Sequence, residues 1–268
     1  MEVQNKVIVV TGGGSGMGRE LVINLLSKGA KVIAIDINES ALQETARLSG
    51  SKQDSLTTFV IDITNKTSVE GLAETAIAQY GFVDCIINNA GIIQPFVKVN
   101  ELSYDAIERV LNVNLYGTLY ITKAFLPHLL TRPEAHIVNI SSMGGFLPVP
   151  GQTIYGASKA AVKLLTEGLN SELMGTNVKV TVVFPGAINT NIMKNSGLNM
   201  PQQSSTENKV VKILSPAKAA QIIIDGIECN RYRVLVGKDA KFLDFLYRLN
   251  PKLAAKFIYS KMKERLQR

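Results

Sequence analysis

Short apolar runs and amphipathic stretches alternate along most of this 268-residue chain. Residues 6–11, 31–36, 56–61, 83–87, 136–140, 178–184 and 233–236 are brief runs favouring β-branched residues, the pattern of strands buried in a sheet. Between them the apolar positions recur at helical spacing. One helix runs through Leu21, Val22, Leu25 and Leu26 and stops near Gly29; others span residues 39–48, 67–79, 104–130, 152–174 and 216–229. This alternation predicts one doubly wound α/β domain over residues 1–238, with no internal boundary or repeat. Two stretches depart from the pattern. Helix 104–130 carries Asn112-Val113-Asn114 in its middle, where asparagine is disfavoured, so Asn114 predicts a kink or a buried polar contact. Residues 189–215 are loop-rich and long enough to form a lid.

Beyond residue 238 the character changes. Residues 239–268 place Phe242, Phe245, Leu246 and Leu249, then Leu253, Phe257, Ile258 and Met262, at helical spacing interrupted by Pro251. Lys241, Arg248, Lys252, Lys256, Lys261 and Lys263 surround that stripe and predict a basic amphipathic helical extension. The net charge of +7 belongs here: from Arg231 onward eleven Lys or Arg face three acids, while the preceding residues nearly balance. Such an extension can cover its own domain's substrate mouth, pack on a partner subunit, or make peripheral contact with an anionic membrane. Nucleic acid is not expected, because no binding motif accompanies the bases.

Hydrophobic content of 46% and charged content of 19% describe an ordinary globular protein. No apolar run approaches the ~20 residues that span a bilayer. Met1 leads into the run at Val7 without room for a signal peptide, so the cytoplasm is the expected compartment. Cys85 and Cys229 are expected to be buried thiols, and in a reducing compartment the sequons at Asn38, Asn65 and Asn139 carry no weight. With only His128 and His136 present, no metal is expected.

The candidate chemistry lies at strand ends. Gly12-Gly-Gly-Ser15-Gly16-Met17-Gly18 joins the first strand to the first helix, and the second strand ends in Asp36. Glycines let backbone amides approach a pyrophosphate at a helix N-terminus, and an acid so placed accepts hydrogen bonds from ribose hydroxyls. The glycine spacing is G-x-x-x-G-x-G rather than G-x-G-x-x-G. The next strands lead to Asp62 and to Asn88-Asn89-Ala90-Gly91. In an open parallel sheet the ligand crevice lies beyond those carboxyl ends. Asp62 and Asn89 are therefore candidates for the adenine end of a dinucleotide, and each could equally cap a helix or form a turn. Ser141-Ser142 and Pro185-Gly186 close the fifth and sixth strands. Tyr155 and Lys159 are four residues apart on one helix face. An adjacent ammonium lowers a phenol's pKa, letting it move a proton to or from a substrate oxygen. Alone, the pair is also an ordinary surface pair.

Taken in order, Thr11-Gly12-x-x-x-Gly16-x-Gly18, Asn88-Asn89-Ala90-Gly91, Asn114, Ser142, Tyr155-x-x-x-Lys159 and Pro185-Gly186-x-x-x-Thr190 resemble the short-chain dehydrogenase/reductase family, from about Lys6 to Val236. The resemblance implies a Rossmann-type parallel sheet of about seven strands with helices on both faces. It implies a catalytic tetrad of Asn114, Ser142, Tyr155 and Lys159, with Ser142 and Tyr155 touching the substrate. A cofactor site would be built from Gly12, Ser15, Gly16, Met17 and Gly18, from Asp36 and Ile37, and from Asp62 and Ile63. It would continue through Asn89, Ala90 and Gly91 to Tyr155, Lys159, Pro185, Gly186, Ile188 and Thr190. In that scheme Tyr155 is the general base or acid at the substrate oxygen, and Ser142 hydrogen-bonds the same oxygen. Lys159 lowers the Tyr155 pKa and binds the nicotinamide ribose, while Asn114 links Lys159 to solvent through a bound water.

Charge selects NAD in this reading. Asp36 would repel a 2′-phosphate, and Ser15 and Ile37, where NADP-preferring relatives usually carry a base, are uncharged; Arg19 is expected to turn elsewhere. The expected reaction interconverts a secondary alcohol and a ketone. Ile93, Phe96, residues 143–149, and Ile192, Met193, Leu198 and Met200 of the lid are expected to line an apolar pocket suited to a steroid, retinoid or fatty-chain compound. Lids are also apolar simply because they pack down. The resemblance implies a homodimer or homotetramer through helices 104–130 and 152–174, although the basic tail departs from a minimal family member. The alternatives are a 3-oxoacyl-thioester reductase using NADP, which Asp36 opposes, and a non-catalytic dinucleotide-sensing protein, which the complete tetrad opposes.

Overall fold

Each of the seven Val- and Ile-containing runs forms a strand in the computed structural model, which describes residues 1–198 and 213–263. They are β1 (Val7–Thr11), β2 (Lys31–Asp36), β3 (Leu56–Val60), β4 (Cys85–Asn88), β5 (Ala135–Ile140), β6 (Val178–Pro185) and β7 (Arg233–Val236). They form one parallel sheet in the order β3-β2-β1-β4-β5-β6-β7. The chain passes outward from β1 to β3 and returns to β4 on the other side of β1. Strand order therefore reverses between β1 and β4, which opens a crevice at their carboxyl ends.

The helices are α1 (Gly16–Ser27), α2 (Glu39–Leu48), α3 (Lys66–Tyr80), α4 (Tyr104–Leu111), α5 (Thr118–Leu130), α6 (Thr153–Glu172), α7 (Ile192–Asn195), α8 (Pro216–Glu228), α9 (Lys238–Leu249) and α10 (Pro251–Met262). Helices α1 and α8 bury Leu21, Leu25, Ile223 and Ile227 against one sheet face. On the other face, α3, α5 and α6 bury Val69, Ile121, Phe125 and Leu169. The Rossmann-type architecture is thus the expected one. None of the described helices is long and apolar enough to cross a membrane.

Two of the sequon asparagines have a local structural task. Asn38 and Asn65 cap α2 and α3, accepting from the Ala41 and Ser68 amides at 3.0 Å, a stabilising use of asparagine at a helix start. The interruption expected at Asn114 takes the form of a π-helical turn over residues 112–117, between α4 and α5. A ladder of buried polar groups fixes this turn to the sheet. The Thr118 hydroxyl donates to the Asn114 carbonyl at 2.9 Å, the Thr122 hydroxyl to the Thr118 carbonyl at 2.7 Å, and the Asn88 amide to the Thr122 hydroxyl at 3.1 Å.

The thiols differ from expectation. Cys85 is buried in β4, but Cys229 is exposed, because α8 ends there and the chain turns outward before β7. The tail folds back as a helical hairpin. Leu243, Ala254 and Ile258 enclose Leu147 in a third core, with Phe146, Leu246, Tyr247 and Met262 around it. Asp244 fastens the hairpin by accepting from Arg233 at 2.6 Å and from Arg248 at 3.1 Å. Residues 199–212 of the expected lid, Met200 among them, and residues 264–268 lie outside the described residues.

Candidate active site

A cavity of about 930 Å³ lies at the carboxyl ends of the central strands. Every residue expected to bind cofactor or to catalyse lines it except Asn114. After β1, positive φ angles of 68° at Gly12 and 53° at Gly16 turn the chain into α1. A Cβ on Gly18 would overlap the Gly12 carbonyl, so this glycine lets α1 press against the end of the strand. Helices α2, α3, α4 and α8 each start with a capping side chain; Ser15, at the start of α1, makes no such bond. The first amides of α1 are thereby left for an anion in the cavity. At its edge Asp36 accepts from the Gly14 amide and, through its other oxygen, from the Asn38 amide, both at 3.0 Å. Arg19 turns away from that carboxylate and donates to the Gly14 carbonyl and the Thr45 hydroxyl. An uncapped helix, a glycine cradle and a fixed carboxylate fit a nicotinamide dinucleotide.

Asn89 and Asp62 act locally. The Asn89 side chain donates to the Thr11 carbonyl at 3.0 Å, while the Thr11 hydroxyl accepts from the Asn89 and Ala90 amides. Asn89 thus ties β1 to β4 through its Nδ2 while still lining the cavity. Asp62 accepts from the Thr64 amide and hydroxyl, a turn closed on itself at the exposed lip.

Tyr155 stands on the first turn of α6, half-buried, with Lys159 one turn further and only 4% exposed. Ser142, at the end of β5, accepts from the Gly144 amide at 3.0 Å and neighbours the phenol. Lys159 donates to the Ile140 carbonyl at 2.9 Å, and burial pulls its pKa down to about 8. Burial also pushes the Tyr155 phenol up, with the Ser142 hydroxyl acting in the opposite direction. The direction is opposite to the expected lowering of the Tyr155 pKa by Lys159. Desolvation of the phenolate dominates, and the lysine's hydrogen bond goes to Ile140.

Asn114 sits behind the cavity wall. Its Oδ1 accepts from the Ile92 amide, and its Nδ2 donates to the Ile92 carbonyl and the Ser158 hydroxyl, each at 2.9 Å. These bonds clamp the loop after β4 to α6. A Cβ on Gly91 would stand 3.1 Å from Lys159 Nζ and 3.2 Å from Asn114 Oδ1, so a side chain here would crowd both.

Gln94 is the functional residue that sequence reasoning misses. It is fully buried, and its Oε1 accepts from the Ile154 amide at 2.7 Å and the Tyr155 amide at 3.0 Å. Gln152 donates back to the Gln94 carbonyl at 2.8 Å. Helix α6 has no capping bond from its own preceding residue, and a glutamine from a distant loop supplies one. The only sequence signal is indirect: Gln152 occupies a position where Ser, Thr, Asp or Asn would cap.

The substrate side is largely apolar, with Ile93, Phe96, Met143, Val149, Ile192 and Met193 in the wall. Met262 of α10 joins them, and Asp105, Glu108 and Arg109 of α4 add an unexpected charged part of the lining. Phe146 and Leu147 are not in the wall. Phe146 packs edge-on against Phe184 with ring centroids 5.5 Å apart, and Leu147 fills the core under the tail. Leu198 is also away from the wall. The described part of the lid closes on the cradle: Asn195 donates to the Ser15 hydroxyl at 2.7 Å, and the Ser196 hydroxyl accepts from the Ile93 amide at 3.0 Å. At its base, Ile188 bridges to Leu214, and the Ala187 amide donates to Asp239 of α9 at 2.7 Å. His136 is buried against Thr181, with its pKa lowered by burial to about 3. Among the described residues no group of His, Cys, Asp and Glu is arranged to hold a metal ion.

Comparison with known proteins agrees with this geometry. Residues 6–201 match the family model for short chain dehydrogenases. A Mycobacterium tuberculosis protein that carries the name oxidoreductase SadH is 37% identical over 252 residues, covering 92% of this chain and 91% of its own. A Burkholderia phymatum short-chain dehydrogenase/reductase solved with NAD superposes with a TM-score of 0.84 at 27% identity, covering 94% of this chain and 96% of that one. A Burkholderia cenocepacia short-chain dehydrogenase solved with NADP gives 0.80 at 26% identity, covering 96% and 99%.

Proposed function

The chain belongs to the short chain dehydrogenase family, and from that premise we propose an NAD(H)-dependent oxidoreductase that interconverts a lipophilic secondary alcohol and its ketone. The observation that carries this reading is the shared cavity. Tyr155, Ser142 and Lys159 line the same space as the uncapped start of α1 and the Asp36 carboxylate.

Bound nicotinamide would supply hydride transfer to or from the substrate carbon. The protein's own part is proton movement and charge placement. Tyr155 takes the hydroxyl proton in oxidation and returns it in reduction. Ser142 hydrogen-bonds the substrate oxygen and stabilises its developing charge. Lys159, held by the Ile140 carbonyl, brings a cation to a poorly solvated site one turn from the phenol, where it would bind the nicotinamide ribose. Asn114 acts as a positioning residue, holding the loop beside Gly91 against α6.

The preference for NAD rests on Asp36, whose charge no neighbouring base offsets, since Arg19 is engaged by Gly14 and Thr45. The lipophilic substrate rests on the apolar wall from Ile93 to Met262. Homo-oligomerisation is part of the proposal: Tyr116 and Leu164 on the α5–α6 side of the molecule are exposed, the latter by 68%. Two unpaired thiols suit a reducing, cytoplasmic setting.

The test is absorbance at the reduced-nicotinamide band, with NAD offered to secondary alcohols and NADH to ketones, from bulky apolar to small polar. Turnover of the bulky apolar members, lost in Tyr155→Phe, is the expected result. Turnover confined to small polar members would discard the lipophilic reading. Tight NAD binding with no turnover across the panel would replace the enzyme with a sensor.

A further inference from the structure

The hairpin α9–α10 has two apolar faces, and among the described residues only one is packed against the rest of the fold. Its inner stripe, Leu243, Ala254 and Ile258, packs on Leu147. Its outer stripe consists of Phe242, Phe245 and Leu249 on α9, with Leu253 and Phe257 on α10. These five side chains are between 38% and 66% exposed. Residues 242, 245 and 249 share one helix face, as do 253 and 257. The Phe242 and Phe257 rings meet edge to face at 6.0 Å, which joins the two stripes into one patch. An exposed contiguous apolar patch marks a contact surface.

Charge identifies the contact. Lys241, Lys252, Lys256 and Lys261 are exposed beside the patch, and among the described residues none of them pairs with an acid. Lys261 lies 6.0 Å from the Phe257 ring centroid, so cation and apolar surface are adjacent. The acids of the hairpin are turned inward: Asp239 holds the Ala187 amide, and Asp244 holds Arg233 and Arg248. The outer face is therefore aromatic and aliphatic at its centre and cationic around it. A second copy of the chain would bring a second set of lysines to the same contact. An anionic lipid surface neutralises them and accepts the rings at the headgroup boundary.

We propose that the outer face of α9–α10 docks this protein on anionic membranes as a peripheral, reversible contact. Met262, at the end of α10, lines the active-site cavity, so the docked hairpin forms part of the substrate cavity's wall. Docking itself does not depend on the substrate proposed above.

The experiment is flotation of the full-length protein with phosphatidylcholine vesicles, either alone or mixed two to one with phosphatidylserine, at low and high salt. Binding is expected only to the mixed vesicles and is expected to fall at high salt. Replacing Lys241, Lys252, Lys256 and Lys261 together by Gln should weaken partition by at least about a hundredfold. Phe245→Ser with Leu249→Ser should weaken it by at least about tenfold, since exposed positions leave the inner packing intact. Far-ultraviolet circular dichroism and the melting temperature check that both variants remain folded. Failure of the wild-type chain to float with anionic vesicles overturns the proposal. So does a self-association that the Phe245→Ser, Leu249→Ser change dissolves without altering flotation, which would assign the face to a second copy.

Discussion

The Tyr155 amide donates to Gln94 Oε1 at 3.0 Å across 61 residues of sequence. Because Gln94 also holds the Ile154 amide and is held by Gln152, the first turn of α6 takes its position from the loop after β4. Gln94→Ala leaves two amides at the start of that helix without their acceptor. We expect a loss of about 1–3 kcal/mol in chemical denaturation. We also expect a fall in kcat without a matching change in NAD affinity. A variant with wild-type kcat would show that Tyr155 keeps its place without this bond.

Gly91→Ala probes the same site from the other side. The new methyl would press on Lys159 Nζ at 3.1 Å and on Asn114 Oδ1 at 3.2 Å, so one of them must move by a few tenths of an ångström. A misplacement of about 1 Å near the chemistry can cost about a hundredfold, so this smaller shift should lower turnover by roughly a few-fold to tenfold. A crystal structure of the variant with an unshifted Lys159 and normal kcat would contradict the assigned crowding.

Asp36→Asn keeps the side chain's shape and removes its charge. The ratio of kcat/KM for NAD over NADP should fall by about tenfold or more, a change of roughly 1.4 kcal/mol in relative transition-state binding. If the ratio does not move, the carboxylate charge is not what discriminates between the cofactors.

Lys159 gives stability a pH dependence of defined sign. Burial lowers its folded pKa to about 8 from the usual 10.5, so between those values the unfolded chain binds more protons than the folded one. Stability therefore rises with pH in that window, by up to roughly 3 kcal/mol if the transition could be followed to its end. Tyr155 has the opposite tendency above pH ~10, since its folded pKa is raised and the unfolded phenol ionises first. Urea denaturation between pH 8 and 9.5 should show the rise in the wild type and its loss in Lys159→Met. Parallel profiles would mean that the ammonium is better solvated than its surroundings indicate.

Much of the cradle is legible in the sequence because it rests on local chemistry. Glycines at 12, 16 and 18, an acid at the end of β2, and asparagine inside a helix each announce a backbone requirement by residue type. The π-turn at Asn114 is the clearest case: a misfit to helix propensity becomes an actual departure from α geometry. Contacts between distant segments leave no such sign. Gln94 reads as an ordinary polar loop residue until the fold carries it to Tyr155. Phe146 and Leu147 read as pocket residues, but the tail folds back beneath them and takes them into its own core. The Tyr155 pKa depends on desolvation set by the whole chain, whereas the Tyr-x-x-x-Lys spacing shows only one of its neighbours.

The bridge between Ile188 and Leu214 closes the base of the lid independently of what lies between them. With both ends fixed beside the sheet, a longer excursion is inexpensive: doubling the length of such a loop costs only about 0.6 kcal/mol in closure entropy. The glycine turn, Asp36 and Tyr155 rest on strands and helices outside that loop, while Thr190 and Asn195 reach the cradle from within it. Natural variation between Asn195 and Leu214 can therefore leave the glycine turn, Asp36 and Tyr155 where they are. The same two residues mark where a lid from a relative could be grafted to change substrate choice.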